Sequence, residues 1–145
     1  MNLLQATIQE KGFIESLIPQ KDPFIMVDKL FHFSEKKVIS GFTIPAHNLF
    51  VDKDRFMAAG LIEHMAQSVA LYTGYQYYLK NEAPPTGYIG AIKSTNIIEL
   101  PKMGQELMTT ATILHEILGV TLVEVQVVCN DVVIATGEMK TVLAN

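Results

Sequence analysis

RFMAAGLIEHMAQSVALYTGYQYYLK, from Arg55 to Lys80, is a helix-length run that is apolar around nearly its whole circumference. A helix of that kind is stable only when other elements surround it, so the rest of the chain is expected to wrap it. Glu63 interrupts the run, and a carboxylate planted among apolar residues needs a reason. At helical spacing Ala59, Glu63, Ala66, Ala70 and Gly74 share one stripe, which projects the acid from the small-residue face best suited to close packing. That stripe is where chemistry is expected.

Working outward, Pro45 to Asp54 reads as a loop in which Asp52 or Asp54 caps the helix by accepting from its free amide groups. Asn81-Glu-Ala-Pro-Pro-Thr-Gly87 closes the helix, because tandem prolines cannot continue one. Before the loop, Phe24 to Phe33 and Lys36 to Ile44 are rich in β-formers and read as a hairpin around Ser34-Glu35. Met1 to Leu17 reads as a covering arm with a short helical turn that ends ahead of Pro19.

After the helix come four β-rich runs: Tyr88 to Leu100, Glu106 to Ile117, Val120 to Cys129 and Val132 to Leu143. Pro101-Lys-Met-Gly104, Gly119 and Asn130-Asp131 separate them, and the last pair suits a two-residue hairpin turn. Alternation in Val123-Glu-Val-Gln-Val127 gives one face to the core and one to water. Hairpin, long apolar helix and antiparallel meander are best satisfied by a sheet wrapped around the helix, the hotdog arrangement of the α+β class. An open sheet with the helix on one face would leave half of that helix wet.

The 145 residues, 49% of them apolar, make one domain, 1–145, with a substantial core. Only 18% are charged, which predicts apolar surface hidden by homo-oligomerisation or set aside for an apolar ligand. Eleven basic against fifteen acidic side chains, with Arg55 the one arginine, leave no footprint for nucleic acid. Cys129 has no second cysteine to pair with, and Met1 to Lys11 is too polar and acidic for a secretory signal. Glu63, His64 and Gln67 break the best candidate for a membrane span, so a soluble cytoplasmic protein is expected.

Two motifs carry a family resemblance over roughly Leu17 to Ala144. Ile18-Pro-Gln-Lys-Asp-Pro-Phe-Ile-Met-Val-Asp28 is similar to the Leu-Pro-His-x-x-Pro-Phe-(two apolar)-Val-Asp motif of the β-hydroxyacyl-acyl-carrier-protein dehydratases. Leu61-Ile-Glu-His-Met-Ala-Gln67 resembles the helix motif of the same hotdog family. The resemblance implies elimination of water from a 3-hydroxyacyl thioester by a histidine and the helix glutamate, supplied by the two protomers of a dimer.

Glu63 takes the glutamate's place as the catalytic candidate, but Gln20 stands at the histidine of the leading motif. A primary amide has no usable basicity, although it still donates and accepts hydrogen bonds. The family's glycine-rich loop ahead of the helix is likewise replaced by Pro45 to Phe56. His32, His47, His64 and His115 are the remaining candidates for a base; His64 diverges from Glu63 by about 100° around the helix. Gln20, Gln67 and Phe24 are assigned to substrate binding, Gln67 being spaced to hydrogen-bond Glu63. Tyr72, Tyr75, Tyr77 and Tyr78 read as packing or dimer surface, with an acyl tunnel as their other use.

The implied partners are acyl carrier protein or acyl-CoA, a homodimer or higher oligomer, and a related subunit in a hetero-oligomer. Lys53, Arg55, Lys93 and Lys102 are candidates for a patch that docks an acidic carrier. No metal and no cofactor are implied beyond the phosphopantetheine of the substrate. Two other functions fit the same residues: thioester hydrolysis with the helix carboxylate as base or nucleophile, and acyl binding without turnover.

Overall fold

The computed structural model describes residues 1–143; Ala144, where the resemblance ends, lies outside them. Helix α1 (Lys11–Ser16) is followed by β1 (Lys29–Ser34), β2 (Lys37–Thr43), β3 (Val51–Asp52) and β4 (Arg55–Phe56). The long helix α2 (Ala58–Leu79) precedes β5 (Gly87–Ile97), β6 (Glu106–Ile117), β7 (Val120–Cys129) and β8 (Val132–Leu143). Six strands form one antiparallel sheet in the order β1-β2-β6-β7-β8-β5, curled around α2. This is the hotdog fold expected from the sequence.

The turns follow from local chemistry. Asn130 and Asp131 both adopt positive φ (51° and 62°), as a two-residue hairpin between right-twisted strands requires, and Leu118-Gly119 does the same between β6 and β7. The strands then alternate: Leu107, Thr109, Ala111 and Ile113 of β6 and Val123, Val125 and Val127 of β7 face inward and are buried. Leu61, Met65, Val69 and Leu71 meet them from α2. Burial of side chains of this size contributes about 1.5–3 kcal/mol each, and it is the main force holding helix to sheet.

Three boundaries differ from the sequence reading. Helix α2 begins at Ala58, and its N-cap, Met57, makes no side-chain cap bond. Asp52 and Asp54 do not cap it, because Val51–Asp52 and Arg55–Phe56 pair as a small hairpin with Lys53 and Asp54 at positive φ. Phe24 to Asp28 forms no strand and meets β2 only through Asp28; Phe24 lies in a bend, and other backbone groups of the segment are bonded elsewhere, as described below. Strand β5 ends at Ile97, ahead of the expected Leu100, where Ile98 and Glu99 both donate to the Ile134 carbonyl.

The two edges of the sheet are treated differently. The N-terminal arm covers β1: Ile8 and Leu30 exchange backbone hydrogen bonds, and Leu3 donates to the Phe33 carbonyl. Among the described residues strand β5 pairs only with β8, and its Ile89 and Ile92 are exposed. Among the described residues no helix is long and apolar enough to cross a membrane.

Candidate functional site

The stripe of α2 that carries Glu63 is the part of the helix that the sheet does not cover. Leu61, His64, Met65, Ser68 and Leu71 point into the core, whereas Glu63, Ala66, Ala70 and Thr73 are only half-buried. These four form the floor of a cavity of about 290 Å³. Leu17, Pro19 and Gln20 make one wall, and Pro85, Ile89, Thr141 and Leu143 make the other. Glu63 and Gln20, the residues singled out from the two motifs, therefore border one cavity within a single chain.

Gln67 sits one turn beyond Glu63, is fully buried, and uses its whole amide group. Its Oε1 accepts from the Met26 backbone N–H at 2.7 Å, and its Nε2 donates to the Phe24 carbonyl at 2.7 Å and to Glu63 Oε1 at 2.9 Å. The first two bonds fix which end of the amide is oxygen, because a backbone N–H only donates and a carbonyl only accepts. An N–H is thereby held against Glu63 Oε1, and Oε2 is the oxygen left for the cavity. Gln67 orients the carboxylate and straps the leading motif to the helix; it does not reach the cavity. The same bonds explain why Phe24 to Met26, β-like in sequence, spend their backbone groups on a helix side chain.

Phe24, assigned to substrate binding from the sequence, exposes its ring to solvent and does not line the cavity. Its backbone carbonyl is the part of the residue tied to the site. Gln20 does line the cavity, and its Oε1 is buried with no hydrogen-bond partner.

None of the four histidines borders the cavity. His64 is completely buried with both ring nitrogens engaged, Nδ1 with the Met26 carbonyl and Nε2 with Thr109 Oγ1, each at 2.6 Å. A carbonyl only accepts, so Nδ1 carries the hydrogen and Nε2 accepts from the threonine hydroxyl. Burial pushes its pKa down to about 4 against the opposing pull of the Met26 carbonyl, so the ring is neutral and structural. Ser68 extends this buried polar seam, bonding the His64 carbonyl at 2.8 Å and Ser40 at 2.6 Å. His47 is exposed beside a separate cavity, His115 is exposed on β6, and His32 contacts Ser34 at 3.2 Å.

Tyr72, Tyr75, Tyr77 and Tyr78 do not line the Glu63 cavity. Tyr75 and Tyr78 stack edge-on against Phe13 of α1, and Tyr72 lies 5.5 Å from Phe33. Of the basic residues, Arg55 and Lys102 border a second cavity, of about 350 Å³, and Lys93 pairs with Glu138.

Residues 13–145 match the profile described as ApeP-like, ApeP dehydratase. The chain belongs to the ApeP-like dehydratase family. Its fold is that of a chain of the dehydratase heterocomplex ApeI:P from Xenorhabdus doucetiae (TM-score 0.84, 19% identity, 91% of each chain covered). It is also shared with the Escherichia coli PaaI protein of the phenylacetic acid degradation operon (TM-score 0.64, 13% identity, 78% of this chain and 80% of that chain). A hypothetical thioesterase with coenzyme A from Streptococcus pneumoniae TIGR4 is a third likeness (TM-score 0.63, 9% identity, 80% and 84% covered). No curated protein matches the chain significantly. This member of the ApeP-like dehydratase family is thus a hotdog protein with Glu63 at its cavity.

The sequence pointed to Glu63 and Gln20 by residue type. It gave no signal for Leu17, Pro85 or Leu143 as cavity walls, since an apolar residue at a wall and one in the core look alike in sequence.

Proposed function

We propose that this chain binds 3-hydroxyacyl thioesters of acyl carrier protein or CoA and contributes Glu63 to loss of water, with the base arriving from another chain. The observation that carries this reading is the cavity itself. It holds an oriented carboxylate and a carboxamide, and no histidine among the described residues borders it. Glu63 Oε2, left free by Gln67, protonates or orients the departing hydroxyl, and a base on the opposite side of the substrate takes the α-proton. The oxygen that gains negative charge is stabilised by backbone amides.

The unpaired β5 edge, with exposed Ile89 and Ile92, supports association with a second sheet, either a copy of this chain or a related subunit. A dehydratase heterocomplex among the structural relatives supports the second form. The reading sets the reaction in the cytoplasm, in fatty-acid-like or polyene synthesis on carrier-bound chains.

Thioester hydrolysis is the second reading, favoured by the absence of a histidine from the cavity wall, because a carboxylate alone can act as base or nucleophile there. One assay separates the two. The purified protein is mixed with 3-hydroxyacyl carrier-protein thioesters and the products are weighed by mass spectrometry, with Glu63→Gln and Gln20→His in parallel. Glu63-dependent loss of water, alone or with the partner subunit, is the expected result. Glu63-dependent release of free acid would replace dehydration with hydrolysis, and no change of mass under either condition would refute both.

A further inference from the structure

We infer that the cavity between β4, the β5–β6 connection and the β7–β8 hairpin is a second ligand site, one that holds a small monocarboxylate. It stands independently of the reading of Glu63, because the two cavities share no lining residue.

The site brings together cations that lie far apart in sequence. A backbone bridge pairs Arg55 with Lys102, and the Phe56 N–H donates to the Pro101 carbonyl at 2.8 Å, so both positive side chains border one cavity of about 350 Å³. Arg55 spends one of its five N–H groups on the Leu100 carbonyl, at 2.8 Å, which fixes the guanidinium. Among the described residues neither cation pairs with a carboxylate. Of the four basic residues read from the sequence as a patch, only these two meet: Lys93 pairs with Glu138, and Lys53 does not line the cavity.

The neutral polar groups add donors. Gln105 Oε1 accepts from the Lys102 N–H at 2.7 Å, so the oxygen of that amide is spent and Nε2 is its donor end. Asn130, at positive φ (51°) in the hairpin turn, adds a second carboxamide. Glu99 is the one acid in the lining. The Cys129 thiol brings no charge, because burial, reinforced by Glu99, pushes its pKa up. Arg55 and Lys102 against Glu99 leave a surplus of one positive charge, which a single carboxylate neutralises and a dianion overshoots. The flat donor fork of Arg55 matches the two oxygens of a carboxylate, with Lys102 as a point charge. Val132 and Ile134 offer an apolar side for a short hydrocarbon body.

The test is nuclear magnetic resonance titration of the full-length protein with butanoate, butanamide and succinate, read at the backbone amides of Lys102, Gln105 and Asn130. Ionic strength is held low and constant, since salt screens such charges. Butanoate should move these signals saturably, and its uncharged counterpart butanamide should not. Succinate should bind more weakly, because its second carboxylate meets Glu99. Arg55→Gln and Lys102→Gln should each weaken butanoate by about tenfold or more, as loss of a hydrogen bond to a charged group does. Glu99→Gln should lift the penalty on succinate and bring it level with butanoate, a reversal that a merely structural Glu99 would not produce. Glu63→Gln should leave butanoate affinity unchanged, which separates this site from the Glu63 cavity. Arg55→Gln gives up the Leu100 bond, so its signal dispersion checks the fold; Lys102 is exposed, and its variant carries the test alone if Arg55→Gln unfolds. No saturable shift, equal binding of butanamide, or butanoate affinity unmoved by Lys102→Gln would each overturn the site. Succinate binding as tightly as butanoate in the wild type, or more so, would overturn the monocarboxylate assignment.

Discussion

Acidification should destabilise this protein through one buried ring. His64 is enclosed on all sides, and its folded-state pKa is pushed from 6.5 down to about 4. In the unfolded chain the imidazole titrates near 6.5. Between those two values the unfolded state binds a proton that the folded state refuses, so protonation favours unfolding. The contribution is fully present above pH 6.5 and is lost as pH falls toward 4. At ~1.4 kcal/mol per unit, the loss approaches ~3 kcal/mol, against a total of roughly 5–15 kcal/mol for a typical domain. The assay is urea unfolding at fixed protein concentration across pH 7.5 to 4, on the wild type and on His64→Gln. The variant should start less stable, because Met26 and Thr109 lose well-placed partners, but its stability should fall less steeply with pH. Parallel pH curves for the two proteins would refute the reasoning, since the slope would then belong to other groups.

Two further substitutions probe the site's frame. Gly74→Ala should lower stability by ~3 kcal/mol, because the new methyl meets the Leu17 carbonyl oxygen, a backbone atom with little room to retreat; a thermal melt no more than a degree or two below wild type would contradict that close approach. Gln67→Leu should cost ~3 kcal/mol by stranding the Met26 N–H and the Phe24 carbonyl, and should reduce turnover through the disordered Glu63 carboxylate while leaving thioester affinity within about threefold. Equal losses in turnover and affinity would mean that Gln67 does more than orient.

The strands were legible wherever a turn left a chemical mark. Gly119 and Asn130-Asp131 delimit β6, β7 and β8 at the residues expected, because positive φ restricts which side chains can stand there. Phe24 to Val27 misled because β-propensity reports a half-buried pleated surface, whereas here only Met26 and Val27 are buried and the Gln67 and His64 side chains of the helix take the backbone groups of Phe24 and Met26. The two-residue strands β3 and β4 are too short to carry a pattern, which is why Asp54 read as a cap rather than as a turn residue. Of the site, Glu63 was visible as the wrong residue for its surroundings. The neutrality of His64 was not, since it follows from complete burial beneath elements distant in sequence.

The unequal edges of the sheet limit what this chain can build. A sheet open on both sides adds copies without end, as fibres do. Here the Ile8–Leu30 bridge and the Leu3–Phe33 bond block one side, so strand pairing with a second sheet is left to the β5 side. The residues ahead of α1 thus cap one edge of the sheet, and their removal would leave both edges open to strand pairing.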